Sequence, residues 1–358
     1  MGGARASRVV GALCVAAAAV VGAIALGAGR VATAATESPA AKGVHEGVAS
    51  CAGSSCHSRQ VDSGVTVRQN ELITWQSPSS AAGAHSRAWR VLTESRGQAI
   101  ARKMGIGAAQ NAKECLGCHS DPAPARGARF QVSDGVGCEA CHGGSSGWLA
   151  SHRTVAGSHA NNVANGLRPL ENPKVRAGVC LDCHFGSSRP GQFVTHEMMA
   201  AGHPRVAFEL DLFSSIIQHW DVDDDYVKRK GYAGGVKTWA VGQALALDRA
   251  LSLYGQGARS QGAFPELYFF DCHACHREIS DDPKARPKWE ANPGRPIPSG
   301  QPPFNDENMI MLQAAARVAA PGLAARFEAD SRAFHAALAR DRAESQRAAT
   351  RLAGSPRA

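Results

Sequence analysis

The apolar and polar positions divide the chain into segments of different character. An unbroken apolar run extends from Val9 to Gly29 and is preceded by Arg5 and Arg8. Further along, apolar residues recur at helical spacing in two segments, and each stripe predicts an amphipathic helix with one buried face. The first stripe comprises Val236, Ala240, Leu247, Leu251 and Tyr254, with Gly255 as C-cap, and the second comprises Leu323, Phe327, Phe334 and Leu338. No long series of alternating apolar strands occurs, so the pattern predicts a mainly α fold with much irregular loop.

The N-terminal run has the form of a secretory signal, because basic residues precede the apolar stretch and the small residues Ala32, Thr33 and Ala34 follow it. We therefore predict that residues 1–34 are removed and that the mature chain, which begins near Ala35, is periplasmic or otherwise secreted. The alternative is an uncleaved N-terminal membrane anchor, since the run is just long enough to span a bilayer. Cys14 is an apolar filler that leaves with the signal.

Charge and composition narrow the classes of partner. The full chain carries a formal net charge of +8, and removal of Arg5, Arg8 and Arg30 leaves +5. No basic run with interleaved aromatic residues occurs, so no nucleic-acid partner is predicted. Aromatic residues make up only 6% of the chain, and an ordinary side-chain core therefore looks thin.

Ten of the eleven cysteines form five pairs, and a histidine follows the second cysteine of every pair. Four pairs have the spacing Cys-x-x-Cys-His, which is the attachment signal for c-type haem. On a turn of helix the two cysteines and the histidine lie on one side, so the sulfurs can bind the porphyrin edge while the imidazole reaches iron. Numbered in chain order, these motifs are the second (Cys115, Cys118, His119), third (Cys138, Cys141, His142), fourth (Cys180, Cys183, His184) and fifth (Cys272, Cys275, His276).

The first motif is expanded, with four residues between Cys51 and Cys56 before His57. Gly53, Ser54 and Ser55 can loop out, and similar expanded motifs are known in multihaem cytochromes, so we predict a fifth covalent haem c here. The alternatives for all five pairs are zinc sites or a disulfide framework. Neither explains why histidine follows the second cysteine each time.

The intervals between the motif histidines are 62, 23, 42 and 92 residues, so no tandem repeat is present. We predict a leader at 35–50, a pentahaem cytochrome domain at 51–280, a Pro-rich linker at 281–305 and a C-terminal helical segment at 306–358. Five porphyrins would supply large apolar surfaces, so the haems are expected to form much of the core.

Nine further histidines are candidates for the second axial ligand of each iron. His85 is predicted on a helix whose inward face also carries Trp89 and Leu92. His196 and His203 are seven residues apart, on one side of a helix that Pro204 would end, and we predict that they bind the irons of the fourth and fifth motifs. His219 is the main alternative to these two histidines as a ligand of one of the irons. We expect solvated roles for His45 and His335, and His273 cannot fold back to its own iron.

Several short elements resemble one family, the tetrahaem cytochrome c of the hydroxylamine-oxidation pathway and its larger multihaem relatives. The most specific stretch is Gly135 to Gly143, followed by His152 and Arg153, and the upstream element Ala84 to Ala88 is similar to that family's Ala-His-Ala-x-Ala. The resemblance covers roughly the order of motifs from Cys51 to His184. The expanded first motif, the longer spacing between Trp75 and His85 and the fifth motif depart from the family.

The resemblance implies a set of cross-ligations. His85 would bind the iron held by His142, His152 would bind the iron held by His57, and the iron on His119 would keep an open position. Haems packed close together along a chain make a conductor, so we predict a carrier that transfers electrons between redox protein donors and acceptors, and not an enzyme. The alternative is a small-molecule oxidoreductase acting on a nitrogen or sulfur compound at the open haem on His119.

Overall fold

The computed structural model describes residues 37–39, 42–61, 68–154, 157–256, 266–276, 281–282, 284, 293–298 and 301–355. The N-terminal apolar run, the predicted cleavage site and much of the Pro-rich segment lie outside these residues. The fold is mainly α with long irregular loops, as predicted. Extended pairing includes two isolated bridges, His45 with Arg126 and Phe270 with Phe304.

The first half of the chain is built from short helices joined by loops. These helices are α1 (Glu71–Trp75), α2 (Arg90–Thr93), α3 (Ser95–Met104), α4 (Lys113–His119), α5 (Cys138–His142), α6 (Leu149–His152), α7 (His159–Ala164) and α8 (Pro173–His184). Side chains bury little here, because the compact cluster in this part consists of Leu92, Ala101 and Ala109 with a few flanking residues. The expectation of a thin side-chain core holds for this half.

The second half contains longer helices and an ordinary core. Its helices are α9 (His196–Ala201), α10 (Leu210–Ile216), α11 (Asp224–Lys230), α12 (Gly235–Gly255), α13 (Glu307–Ala319), α14 (Pro321–Leu338) and α15 (Arg342–Ala353). Helix α12 packs against α8, α10, α13 and α15, and is therefore the central element of this half. Burial of its apolar residues against these neighbours provides the driving force for their association.

Aromatic rings fill the centre of this core. The ring of Tyr254 lies 5.7 Å from Phe269 and 5.8 Å from both Phe304 and Phe334, in edge-to-face contacts. Such contacts stabilise a core beyond the area that they bury. The few aromatic residues of the chain are thus concentrated here, so the prediction of a thin core is wrong for the C-terminal half.

The leader is tied to the rest of the molecule by buried hydrogen bonds. The carboxylate of Glu139, inside the third motif, accepts bonds from the backbone N–H groups of Glu46 at 2.8 Å and Gly47 at 2.7 Å. Ser38 donates to Asp182, inside the fourth motif. The fully buried Arg249 of α12 also pairs with Asp182, at 3.0 Å. The third and fourth motifs are therefore both hydrogen-bonded to the leader, and the fourth also contacts the C-terminal core.

Several expectations about single residues are wrong. His45 is 1% exposed and pairs with Asp121 at 2.9 Å, and His335 is fully buried, with Nδ1 2.9 Å from the Ser331 carbonyl; neither is solvated. Burial lowers the pKa of His335 to about 4. Val236 is 84% exposed, because the buried stripe of α12 begins further along the helix.

No helix among the described residues is long and apolar enough to cross a membrane.

The aromatic core predicts that two substitutions in neighbouring helices differ greatly in their effect on the free energy of unfolding. Phe334→Ala removes a fully buried ring and should lower the free energy of unfolding by about 3–5 kcal/mol. The control Val318→Ala changes a side chain that is 86% exposed and should stay within about 0.5 kcal/mol of the parent. Denaturant unfolding of the holoprotein, followed by circular dichroism, measures both values. Similar values for the two variants would contradict the assigned core.

Candidate haem centres

Ten histidines approach one another in five pairs, and every pair contains one motif histidine and one other. The pairs are His57 with His152, His85 with His184, His119 with His203, His142 with His219, and His196 with His276. Their ring centroids are 5.8 Å apart in the first pair, 6.1 Å in the last and 6.2 Å in the other three. Each of the five motif histidines belongs to one pair.

The spacing within these pairs fits an iron atom between the rings. Two metal–nitrogen bonds of about 2 Å each, with the half-widths of two imidazoles, span about 6 Å. Ordinary edge contacts between rings fall in the same range, so the distinguishing observation is the one-to-one match between motif and partner histidines. Haem iron takes four nitrogens from its porphyrin, and two imidazoles complete its coordination. In the described part of the chain, no group of three or more His, Cys, Asp or Glu is placed to hold a metal ion.

The local structure of the motifs explains how each histidine is presented. Helices α4, α5 and α8 end at His119, His142 and His184. The fifth motif forms a single turn in which the His276 N–H donates to the Cys272 carbonyl at 2.7 Å. In each of these four motifs, both cysteines therefore lie within one turn of their histidine.

The expanded first motif reaches a comparable arrangement by a loop. The backbone N–H of His57 lies 3.3 Å from the Cys51 carbonyl, although six positions separate the two residues. Gly53, Ser54 and Ser55 are exposed and form the projecting part of this loop. All ten described cysteines are free.

The partner histidines differ from several sequence expectations. His152 lies beside His57, where the resemblance places it. His85 lies beside His184 and not His142, so that implied cross-ligation is wrong. His219 takes the position next to His142, a role that we had considered for it only as a competitor at other irons.

The backbone around His85 explains this difference. Val136, just before the third motif, donates its N–H to the His85 carbonyl at 3.0 Å, while the His85 ring extends to the fourth motif. Gly135 lies so close that a Cβ would meet the same carbonyl at 2.5 Å. The two elements that resemble the family therefore do contact each other, but through the backbone. His85 also lies in a turn before α2, and not on the predicted helix.

His196 and His203 serve different motifs. Helix α9 begins at His196, which lies beside His276 as one of the predicted arrangements requires. Gly202, with φ of 121°, ends the helix before His203, and this glycine rather than Pro204 is the break. The His203 ring then lies beside His119 and not His184. The expected open position at His119 is therefore faced by an imidazole.

Hydrogen bonds to Nδ1 orient half of the ten rings. His119, His184, His203 and His219 donate from Nδ1 to the backbone carbonyls of Ala88, Ala207, Pro204 and Ile217, at 2.7, 3.2, 2.7 and 2.8 Å. His57 instead donates to the carboxylate of Glu71, at 2.9 Å. A proton on Nδ1 leaves the Nε2 lone pair for iron. Glu71 was missed in the sequence because no motif links it to His57.

Burial favours the neutral, metal-binding form of five of these ten imidazoles. It lowers the pKa of His142 to about 3 and that of His85 to about 4, and nearby histidines act in the same direction. The pKa values of His152, His184 and His203 are also lowered by burial. His57 differs from these five, since its hydrogen bond to Glu71 raises its pKa.

Contacts between cysteines show which motifs are neighbours. Cys51 and Cys138 are close enough for their side chains to interact, which makes the first and third motifs neighbours. Cys118 and Cys183 are likewise close enough to interact, which makes the second and fourth motifs neighbours. A Cβ on Gly117 would meet the Gly191 carbonyl at 2.3 Å, so glycine is needed for the second motif to pack against the loop after the fourth.

These centres have the features of a multihaem c-type cytochrome. A model of the family described as cytochrome c554 and c-prime matches residues 50–143, a stretch that contains the first three motifs. The match supports a c-type cytochrome with covalent haem and a role in electron transfer, a class whose partners are redox proteins and whose members are typically extracytoplasmic. No curated protein and no solved structure matches the chain.

The pairing of His203 with His119 predicts a change of spin state. His203→Ala should convert one low-spin haem to a high-spin form that binds carbon monoxide when reduced, because iron loses one of two imidazoles. The matched control is His159→Ala, since His159 pairs with Glu171 at 2.9 Å and faces no motif histidine. Absorbance and electron paramagnetic resonance spectra measure both. An entirely low-spin His203→Ala protein would contradict the assignment.

Proposed function

We propose that this chain is an extracytoplasmic pentahaem c-type cytochrome that carries electrons between redox protein partners. The observation that carries the proposal is the set of five histidine pairs, each with one motif histidine and ring centroids 5.8–6.2 Å apart. Iron bound by two imidazoles is coordinatively saturated, and saturated iron is suited to electron transfer and not to substrate binding.

The ten cysteines of the motifs hold the haems covalently, and the ten paired histidines are their axial ligands. Haem iron supplies a one-electron couple at each centre. The protein supplies orientation through the Nδ1 hydrogen bonds and a buried environment that favours the neutral form of five of the imidazoles.

The contacts between motifs support a continuous path for electrons. Porphyrin edges on Cys51 and Cys138 would be neighbours, as would those on Cys118 and Cys183. Cys141 is near enough to Cys180 for their charges to interact, which connects the third motif to the fourth. The fifth motif joins through α9 and the residues just after it, because His196 faces His276 and His203 faces His119. The order along the path is first, third, fourth, second and fifth.

The alternative of a small-molecule oxidoreductase depended on an open position at His119. The ring of His203 lies 6.2 Å from that of His119, so an iron bound by His119 would have His203 as its second axial ligand. This placement favours the carrier.

Intact mass spectrometry of the secreted protein should show five haem additions and a start near Ala35. The double variant Cys51→Ser and Cys56→Ser should lose one addition, because both thioether bonds to that porphyrin are removed. Four additions in the unaltered protein would reject the expanded first motif. Retention of residues 1–34 would reject cleavage of the signal.

A carrier with five saturated irons should not bind small ligands. The reduced, unaltered holoprotein is expected to show no spectral change with carbon monoxide, and His203→Ala provides the positive control. Carbon monoxide binding by the unaltered protein at one haem in five would instead support an oxidoreductase.

A further inference from the structure

The histidine pair of the first motif differs from the other four in the orientation of its rings. The imidazole planes of His57 and His152 are inclined by only 13°. The corresponding angles are 74–90° for the pairs of the second, third and fourth motifs and 35° for that of the fifth. The first centre is therefore the one with nearly parallel ligands.

The same centre is also the one whose Nδ1 partner is a carboxylate. Glu71 Oε2 accepts from His57 Nδ1 at 2.9 Å, whereas Nδ1 of His119, His184, His203 and His219 donates to backbone carbonyls. Glu71 is the first residue of α1, and its other oxygen accepts from the Gln69 N–H at 3.3 Å. The next residue, Leu72, donates its N–H to the His57 carbonyl at 3.0 Å. The carboxylate is thus fixed relative to the ring.

A carboxylate on Nδ1 changes the iron that Nε2 binds. The negative charge draws the Nδ1 proton toward Glu71 and increases the electron density that Nε2 donates. The side chains of His57 and Glu71 are 34% and 19% exposed, so water screens this effect only in part. A more strongly donating ligand stabilises ferric over ferrous iron, which lowers the reduction potential.

We propose that Glu71 acts through His57 to give the haem of the first motif the lowest reduction potential of the five. Glu71 is a positioning residue in this role, since it contacts the ligand and not the iron. The proposal rests on the proposed function, because it requires a haem on Cys51 and Cys56 with His57 and His152 as axial ligands.

The test compares two carboxylate-to-amide substitutions in the holoprotein. Glu71→Gln keeps a hydrogen-bond acceptor but removes the charge, and it should raise the potential of one haem in five while the other four stay unchanged. A tenfold loss of preference for ferric iron appears as a shift of about 59 mV in a one-electron couple. The control Glu171→Gln alters the same kind of pair, with His159 at 2.9 Å, and should move none of the five. Spectroelectrochemical titration measures the potentials.

A second measurement reports on the rings in the unaltered protein. Parallel imidazoles make the two iron d orbitals that accept their π density differ in energy. Perpendicular imidazoles leave these two orbitals nearly equal in energy. The oxidised protein should therefore give one ordinary rhombic low-spin signal and at least three highly anisotropic ones. Glu71→Asp, which keeps the charge, should leave the lowest potential closer to that of the unaltered protein than Glu71→Gln does.

The outcomes separate this inference from the proposed function. Five low-spin haems whose potentials are the same in the Glu71→Gln and unaltered proteins would overturn the role of Glu71 and leave the electron carrier intact. The role of Glu71 would also be overturned if the haem whose potential shifts is not the haem of lowest potential. Loss of the first haem from the unaltered protein would overturn both.

Discussion

The structure depends on holding two imidazole rings at a separation of about 6 Å, the distance that two metal–nitrogen bonds require. This condition is met five times, and the paired residues come from positions that are 77 to 99 apart along the chain. One ring of each pair is fixed by its place beside two cysteines. The other must be delivered by a separate segment, so the loops of the first half are arranged around these pairs and not around a large side-chain core.

The C-terminal helices provide a rigid frame for this arrangement. Helix α12 packs on α8, which ends at the fourth motif, and the buried Arg249 of α12 holds Asp182 between the two cysteines of that motif. A buried arginine–carboxylate pair is costly to break from one side, so it fixes the register of the two helices. The aromatic core around Tyr254 thereby stabilises a haem-bearing helix although it contains no motif itself.

The five histidine pairs differ from one another in small local features. Backbone carbonyls and the Glu71 carboxylate hold the same imidazole nitrogen but differ in charge, and the ring planes range from nearly parallel to perpendicular. In the proposed cytochrome, such differences would tune the reduction potentials without a change of axial ligand type.

The sequence by itself determined the motifs, the mainly α fold and α14, because these depend on spacings within one or two turns of chain. It also indicated all five of the histidines that lie beside the motif histidines. Only the tertiary structure decided their partners, since the direction of a ring depends on how distant segments pack. His85 shows this: its backbone is tied to the third motif, as its neighbours in sequence suggest, while its ring lies beside the fourth. Glu71 and the buried His45 and His335 were hidden for the same reason, because their burial and partners come from residues that no local pattern connects.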